Sequence, residues 1–191
     1  MRRLTLFILT GLLWFGPAHD ASAQSSESWF HKGNELSRQG RFKEAVEAYQ
    51  QSILLNPATP VTRYNMGIAY KNLRRYEDAA KAFEKVVEME PGNLDAQLSL
   101  GNAYNYLERW RDAIGPLNLV VHRRRNDAEA HGNLGWAYYN FKDGPTFKFL
   151  VILNLKKATD LFEEQNMPEA AEATRKILEE ALEKFVTPSG E

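Results

Sequence analysis

Gly33, Gly67, Gly101 and Gly135 stand 34 residues apart, and Leu36, Tyr70, Tyr104 and Tyr138 keep the same step. Ala45, Ala79 and Ala113 keep it too. Glycine makes up only 12 of the 191 residues, so a run of hits at preset positions does not arise by chance, and three phased series identify an internal repeat. A unit of this length cannot bury its apolar face alone. Successive units must stack, and the chain is expected to fold as a row of similar modules.

Each unit reads as two helices, because apolar residues recur at steps of three and four. The pattern breaks at Gln39-Gly40-Arg41, Leu73-Arg74-Arg75 and Leu107-Glu108-Arg109, while Asn56-Pro57 and Glu90-Pro91-Gly92 separate one unit from the next. Proline cannot continue a helix, since its ring removes the amide donor and clashes with the preceding turn. The four phased glycines fall inside predicted helices, where each costs about 1 kcal/mol relative to alanine. A close approach of the paired helix is the expected compensation.

These residues resemble the tetratricopeptide repeat. The match falls on Trp29, Gly33, Leu36, Ala45, Tyr49 and Pro57 in the first unit and on Met66, Gly67, Tyr70, Ala79, Phe83 and Pro91 in the second. The third unit carries Leu100, Gly101, Tyr104, Ala113 and Leu117, with Arg125 in place of the proline and Pro116 early in its second helix, where it puts straightness in question. The fourth begins with Leu134, Gly135 and Tyr138 and breaks at Asp143-Gly144-Pro145. The alanine-to-aromatic step is read again at Ala158 and Phe162, across an insertion of about eleven residues. The resemblance covers Ser26 to about Phe162. It implies an all-α fold, a right-handed superhelix of antiparallel helix pairs, with three regular repeats at 26–59, 60–93 and 94–127 and an irregular fourth at 128–165. A capping helix is expected at 167–186, because Thr174, Ile177, Leu178, Ala181, Leu182 and Phe185 form one stripe, with Glu172, Lys176, Glu179, Glu180 and Glu183 facing away.

If glycine and the residue three places later face inward, the 100° step of a helix fixes the side left open. That side carries Phe30, His31, Asn34 and Arg38 in the first unit, and Tyr64, Asn65, Ile68 and Asn72 in the second. In the third it carries Leu98, Ser99, Asn102 and Tyr106, and in the fourth Asn133, Trp136 and Asn140. The resemblance implies that this side lines a concave groove. Six asparagines on one helical face go against helix propensity, and a carboxamide donates and accepts at once, which suits a peptide backbone. The aromatics offer flat surface for side chains. The competing reading makes Asn72 and Asn140 helix-end residues and packs the aromatics between units. Some relatives clamp a C-terminal carboxylate with two asparagines and three basic residues. Asn34 and Asn65 match those asparagines, but Phe30, Asp95 and Ser99 stand where the basic residues belong, so a carboxylate clamp is not expected.

The first 23 residues read as a secretory signal: Arg2-Arg3, an apolar run from Leu4 to Gly16, then Ala21-Ser22-Ala23. Cleavage is expected after Ala23, through general secretion rather than twin-arginine export because Thr5 interrupts the run, and the protein is expected to be periplasmic or secreted. The run is shorter than the ~20 residues that cross a bilayer, so no stable membrane insertion is expected once the signal is removed. The remainder has 22 basic and 24 acidic residues, which gives no general attraction to nucleic acid. The absence of cysteine excludes disulfides, thiolate metal sites and cysteine nucleophiles.

His31, His122 and His131 lack the spacing of helical zinc ligands, and neither a phosphate-binding glycine loop nor a serine elbow is present, so no catalytic residue, metal or cofactor is expected. His122-Arg123-Arg124-Arg125 reads as charge at a helix C-terminus, with an acidic docking patch as the alternative. The apolar run from Phe147 to Leu155 reads as a buried stretch of an elongated helix, or else as a lid or docking surface. The function expected is a non-enzymatic adaptor of the cell envelope that binds an extended segment of a partner protein, during assembly of a larger complex. The alternatives are a scaffold that associates with itself and an accessory subunit of an envelope enzyme.

Overall fold

Short caps and three-residue turns cut the chain into helices of similar length. The structure, a computed structural model, describes residues 25–142 and 147–185, so the expected signal lies outside the described residues. Among these there are nine helices and no strand: α1 (Ser26–Arg38), α2 (Phe42–Leu55), α3 (Pro60–Asn72), α4 (Tyr76–Met89), α5 (Leu94–Tyr106), α6 (Trp110–Arg123), α7 (Ala128–Asn140), α8 (Lys148–Glu164) and α9 (Pro168–Phe185). Ser25, Asn93 and Asp127 cap α1, α5 and α7, each accepting an N–H from three residues on. Pro60 opens α3, where its missing N–H costs nothing.

One turn joins the helices of each regular pair. The N–H of Arg41, Arg75 and Arg109 donates to the carbonyl of Leu36, Tyr70 and Tyr104, each at 2.9 Å. The residue before each arginine is left-handed: Gly40 at φ 73°, Arg74 and Glu108 at 57°. Two of the three are not glycine, so these turns carry a backbone cost of roughly 1–2 kcal/mol that packing offsets.

The glycines explain the pairing. A methyl group placed on Gly33, Gly67 or Gly101 would lie 2.5, 2.6 or 2.5 Å from Tyr49, Phe83 or Leu117 of the paired helix. Those three side chains are fully buried, so no space exists to absorb it. The tyrosines three residues after the glycines touch the start of the paired helix, as Tyr138 does at Phe147, and also reach the second helix of the preceding unit. Gln50 donates to the Tyr70 hydroxyl at 3.2 Å, Tyr104 to Glu84 at 2.7 Å, and Asn118 to Tyr138 at 2.9 Å. A second periodic joint ties α3, α5 and α7 to the loop before each: Arg63 donates to the carbonyl of Pro57, Gln97 to that of Pro91, and His131 Nε2 to that of Arg125. The joint uses only a carbonyl, so Arg125 serves where proline was expected. Pro116 does not break α6, which runs from Trp110 through Arg123.

The fourth unit corrects the sequence reading. Gly135 faces Leu155, whose Cγ and backbone nitrogen would lie 2.8 and 3.1 Å from an added methyl group. Leu155 is the eighth residue of α8, as Tyr49, Phe83 and Leu117 are of α2, α4 and α6. The insertion is therefore four residues rather than eleven, all of it between α7 and α8, and Val151 rather than Ala158 takes the place of Ala45, Ala79 and Ala113. Ala158 and Phe162 lie further along α8, their side chains beside Gly132 of α7 rather than Gly135. Met167 N–H donates to the Phe162 carbonyl at 2.9 Å and Asn166 is left-handed at φ 56°, so α8 joins α9 by the turn used within the regular pairs. The long helix α8 packs against α7 and α9.

Ala171, Thr174 and Ala181 of α9 are buried, with Ile177, Leu178 and Phe185 packed against the core, whereas Leu182 of the expected stripe is exposed. The run from Phe147 to Leu155 divides: Val151, Asn154 and Leu155 are buried, while Phe149 and Leu153 are 74% and 50% exposed.

Candidate functional site

The first helices of the first two units lie side by side and bring five of the expected groove residues together. His31, Asn34 and Arg38 from α1, with Asn65 and Ile68 from α3, line an open hollow of about 510 Å3. Ser37 and Tyr49 complete it and were not foreseen, Tyr49 because its sequence position marked it only as core. The centre of the hollow is a shared acceptor. Asn34 Oδ1 takes hydrogen bonds from the Tyr49 hydroxyl at 2.8 Å and from Asn65 Nδ2 at 2.9 Å. Both of its lone pairs are then engaged, which leaves the Asn34 amide N–H and the Asn65 carbonyl as a neighbouring donor and acceptor. Burial pushes the Tyr49 phenol up, so it remains a neutral donor near pH 7. At the rim, Arg38 pairs with Glu35 at 2.7 Å, and His31 lies 3.6 Å from Glu27.

A second hollow of about 570 Å3 gathers Trp136 and Asn140 with Trp110, Arg109 and Arg111. The Trp110 and Trp136 rings meet edge to face at 6.1 Å, and Asn140 donates to the Trp136 carbonyl at 2.9 Å. Asn72 likewise donates to the carbonyl four residues back, that of Ile68. Both asparagines thus make helix-end contacts of the kind the competing reading anticipated.

The remaining candidates are engaged within the stack. Phe30 packs its ring 6.4 Å from Tyr49, and Tyr64 sits 5.6 Å from Phe83 with its hydroxyl 3.4 Å from Ser99 Oγ. Leu98 packs against the core. Asn102 donates to Glu129 at 2.6 Å, and exposed Tyr106 stacks on Tyr76 at 4.4 Å. Asn133 offers its backbone carbonyl to buried Asn105. Phe30 and Tyr64 pack on the paired helix of their own unit, whereas the partners of Asn102, Tyr106 and Asn133 arrive from other units, so no local signal could have named those. Where a clamp would need basic groups, Asp95 is paired with Arg124 at 2.7 Å and Ser99 is buried. That ion pair also ties one arginine of the basic run to α5.

No cluster of three or more metal-ligating side chains stands among the described residues, and no described helix is long and apolar enough to cross a membrane.

A TPR repeat model matches residues 33–73 and a tetratricopeptide repeat model matches residues 64–128. No curated protein matches the chain. Among solved structures, MamA (41-end) from Desulfovibrio magneticus RS-1 is similar at 22% identity and a TM-score of 0.67, over 86% of this chain and 97% of that one. The first TPR of Spaghetti (RPAP3), bound to an HSP90 peptide, is 24% identical with a TM-score of 0.57, over 61% and 92%. The second TPR domain of human RPAP3, in complex with an HSP70 peptide, is 21% identical with a TM-score of 0.55, over 59% and 93%. At such identities the likeness is one of fold. The phased glycines, the recurring turn and both models agree that residues 33–128 are built of tetratricopeptide repeats.

Proposed function

We propose that this chain is a non-enzymatic adaptor of the cell envelope, exported by its N-terminal segment, which holds an extended segment of a partner protein against the first helices of its repeats. The observation that carries the reading is the hollow between α1 and α3, where Asn34 and Asn65 present a donor and an acceptor side by side above an apolar wall formed by Ile68. A peptide group offers the complementary acceptor and donor at similar spacing. The RPAP3 structures hold peptides in their complexes, which supports a peptide as the ligand class. Phe30 and Asp95 in place of basic residues turn the reading away from a terminal carboxylate and toward an internal segment.

Self-association by continued stacking has less support. At one phase the interior units place Met66, Leu100 and Leu134 in or against the core, but α1 has exposed Lys32 there, with its ammonium 4.6 Å above the Trp29 ring. A charge folded over that surface opposes another module. At the other end α9 turns charged residues outward.

A photo-crosslinking residue at Ile68, in the native compartment, tests the proposal against the same residue at exposed Leu54 outside the hollow. Adducts at Ile68 that map to one extended segment of a partner, and that fall at least fivefold on Asn34→Ala with Asn65→Ala, are expected. Equal adducts at Leu54, or none at Ile68, would overturn it.

A further inference from the structure

The second helices of the three regular units carry polar or small residues at their second and sixth positions: Lys43 and Glu47, Glu77 and Lys81, Arg111 and Gly115, all exposed. At the same positions α8 carries Phe149 and Leu153, which are 74% and 50% exposed. One helical turn apart, they form a short apolar stripe directed at solvent. Exposed Lys148 and half-buried Lys157 stand on either side of it, and exposed Lys156 continues it. Lys156 pairs with Asp160 at 3.2 Å, an exposed contact too weak to occupy the ammonium fully. No carboxylate occurs from Phe147 to Thr159. At the same end of α8, Lys142, Lys148 and Lys184 rim a hollow of about 380 Å3 whose lining, among the described residues, holds aromatic rings and no carboxylate. Exposed Glu179, Glu180 and Glu183 stand on neighbouring α9, so the stretch free of carboxylates is that of α8 itself.

We propose that the N-terminal half of α8 is a docking surface for an anionic lipid bilayer, bound peripherally through Phe149 and Leu153 with the surrounding lysines on the headgroups. Local charge complementarity selects this occupant. Both apolar side chains project outward instead of lining the hollows described above, and a bilayer accepts protruding side chains without a matching pocket. No described helix is long and apolar enough to cross the membrane, so contact is confined to the interface. The surface is independent of the groove and would hold the adaptor at a membrane while α1 and α3 stay free for a partner.

The chain has no cysteine, which permits a single reporter. The full chain with Leu153→Cys, carrying an environment-sensitive fluorophore, is titrated with vesicles of phosphatidylcholine alone or with 30% phosphatidylglycerol (roughly the anionic content that lets lysines contribute). Glu47→Cys, the same helix position in the first unit, serves as control. A blue shift at position 153 with the anionic vesicles only is expected, with none at position 47. Adding Lys148→Glu, Lys156→Glu and Lys157→Glu should raise the lipid needed for half the shift at least tenfold. No shift at 153, or an equal shift at 47 or with neutral vesicles, overturns the proposal. A shift that grows with protein concentration in the absence of vesicles overturns it in favour of a second copy.

Discussion

The three regular pairs and the C-terminal trio α7 to α9 are built from the same parts but close differently. In each regular pair a glycine on the first helix meets one large buried side chain on the second, and a three-residue turn holds them together. In the trio the glycine contact survives at Gly135 and Leu155, but the connection is four residues longer and α8 takes a second partner through the tight turn at Asn166. The conserved element is therefore the inter-helix contact. The connection between its helices can vary, because closing a slightly longer loop costs little.

The sharpest way to test that contrast is to truncate a phenylalanine in each region. Phe83→Ala removes a fully buried ring in the second unit and should cost about 3–5 kcal/mol by urea unfolding. Phe149→Ala in α8 removes an exposed one and should stay within about 0.5 kcal/mol. Equal costs would mean that the two rings are not in such different surroundings. Next, Gly135→Ala should cost about 1–3 kcal/mol through overpacking, because the added methyl meets the Leu155 backbone as well as its side chain. Gly132→Ala, with its nearest neighbour at 3.7 Å, should be neutral or slightly stabilising.

Much of the regular region was legible in the residues, since glycine at a fixed phase, apolar steps and short turn signals all pointed to the same helix pairs. The fourth unit misled for a specific reason. Leu117 shows that a leucine can face the glycine, yet Ala158 and Phe162 supply the alanine-to-aromatic step of the first two units at the wrong place in α8. Those residues face Gly132 of α7, one turn before the phased glycine. The groove was legible as a helical face but not as a set of bonds: Asn34 and Asn65 meet as expected of neighbours, whereas Asn102 and Tyr106 are engaged by Glu129 and Tyr76 from other helices.

A deletion sharpens the comparison further. Removing residues 143–146 leaves a three-residue connection between α7 and α8, matching the regular turns. The helical circular dichroism should be retained and the stability changed by less than ~1 kcal/mol. A larger loss would show that the longer connection has a structural task.

The smallest effect concerns pH. The Tyr104 phenol is pushed well above its usual value by burial and by its bond to Glu84, so its proton is held more tightly in the folded state than in the unfolded chain. Its contribution is fully present below about pH 10, the unfolded value, and is lost as pH rises toward the folded one. The urea midpoint should decline above that point, and less steeply in Tyr104→Phe. An identical decline in the variant would assign the effect elsewhere.

The double pairing of α8 also bears on how the molecule comes apart. At the N-terminal end, α1 and α2 depend on one neighbouring unit and can peel away as a two-helix segment. At the C-terminal end, α8 cannot be released without exposing both α7 and α9, so those three helices should detach together. Native-state hydrogen exchange would then record a small early opening at one terminus and a larger, later one at the other.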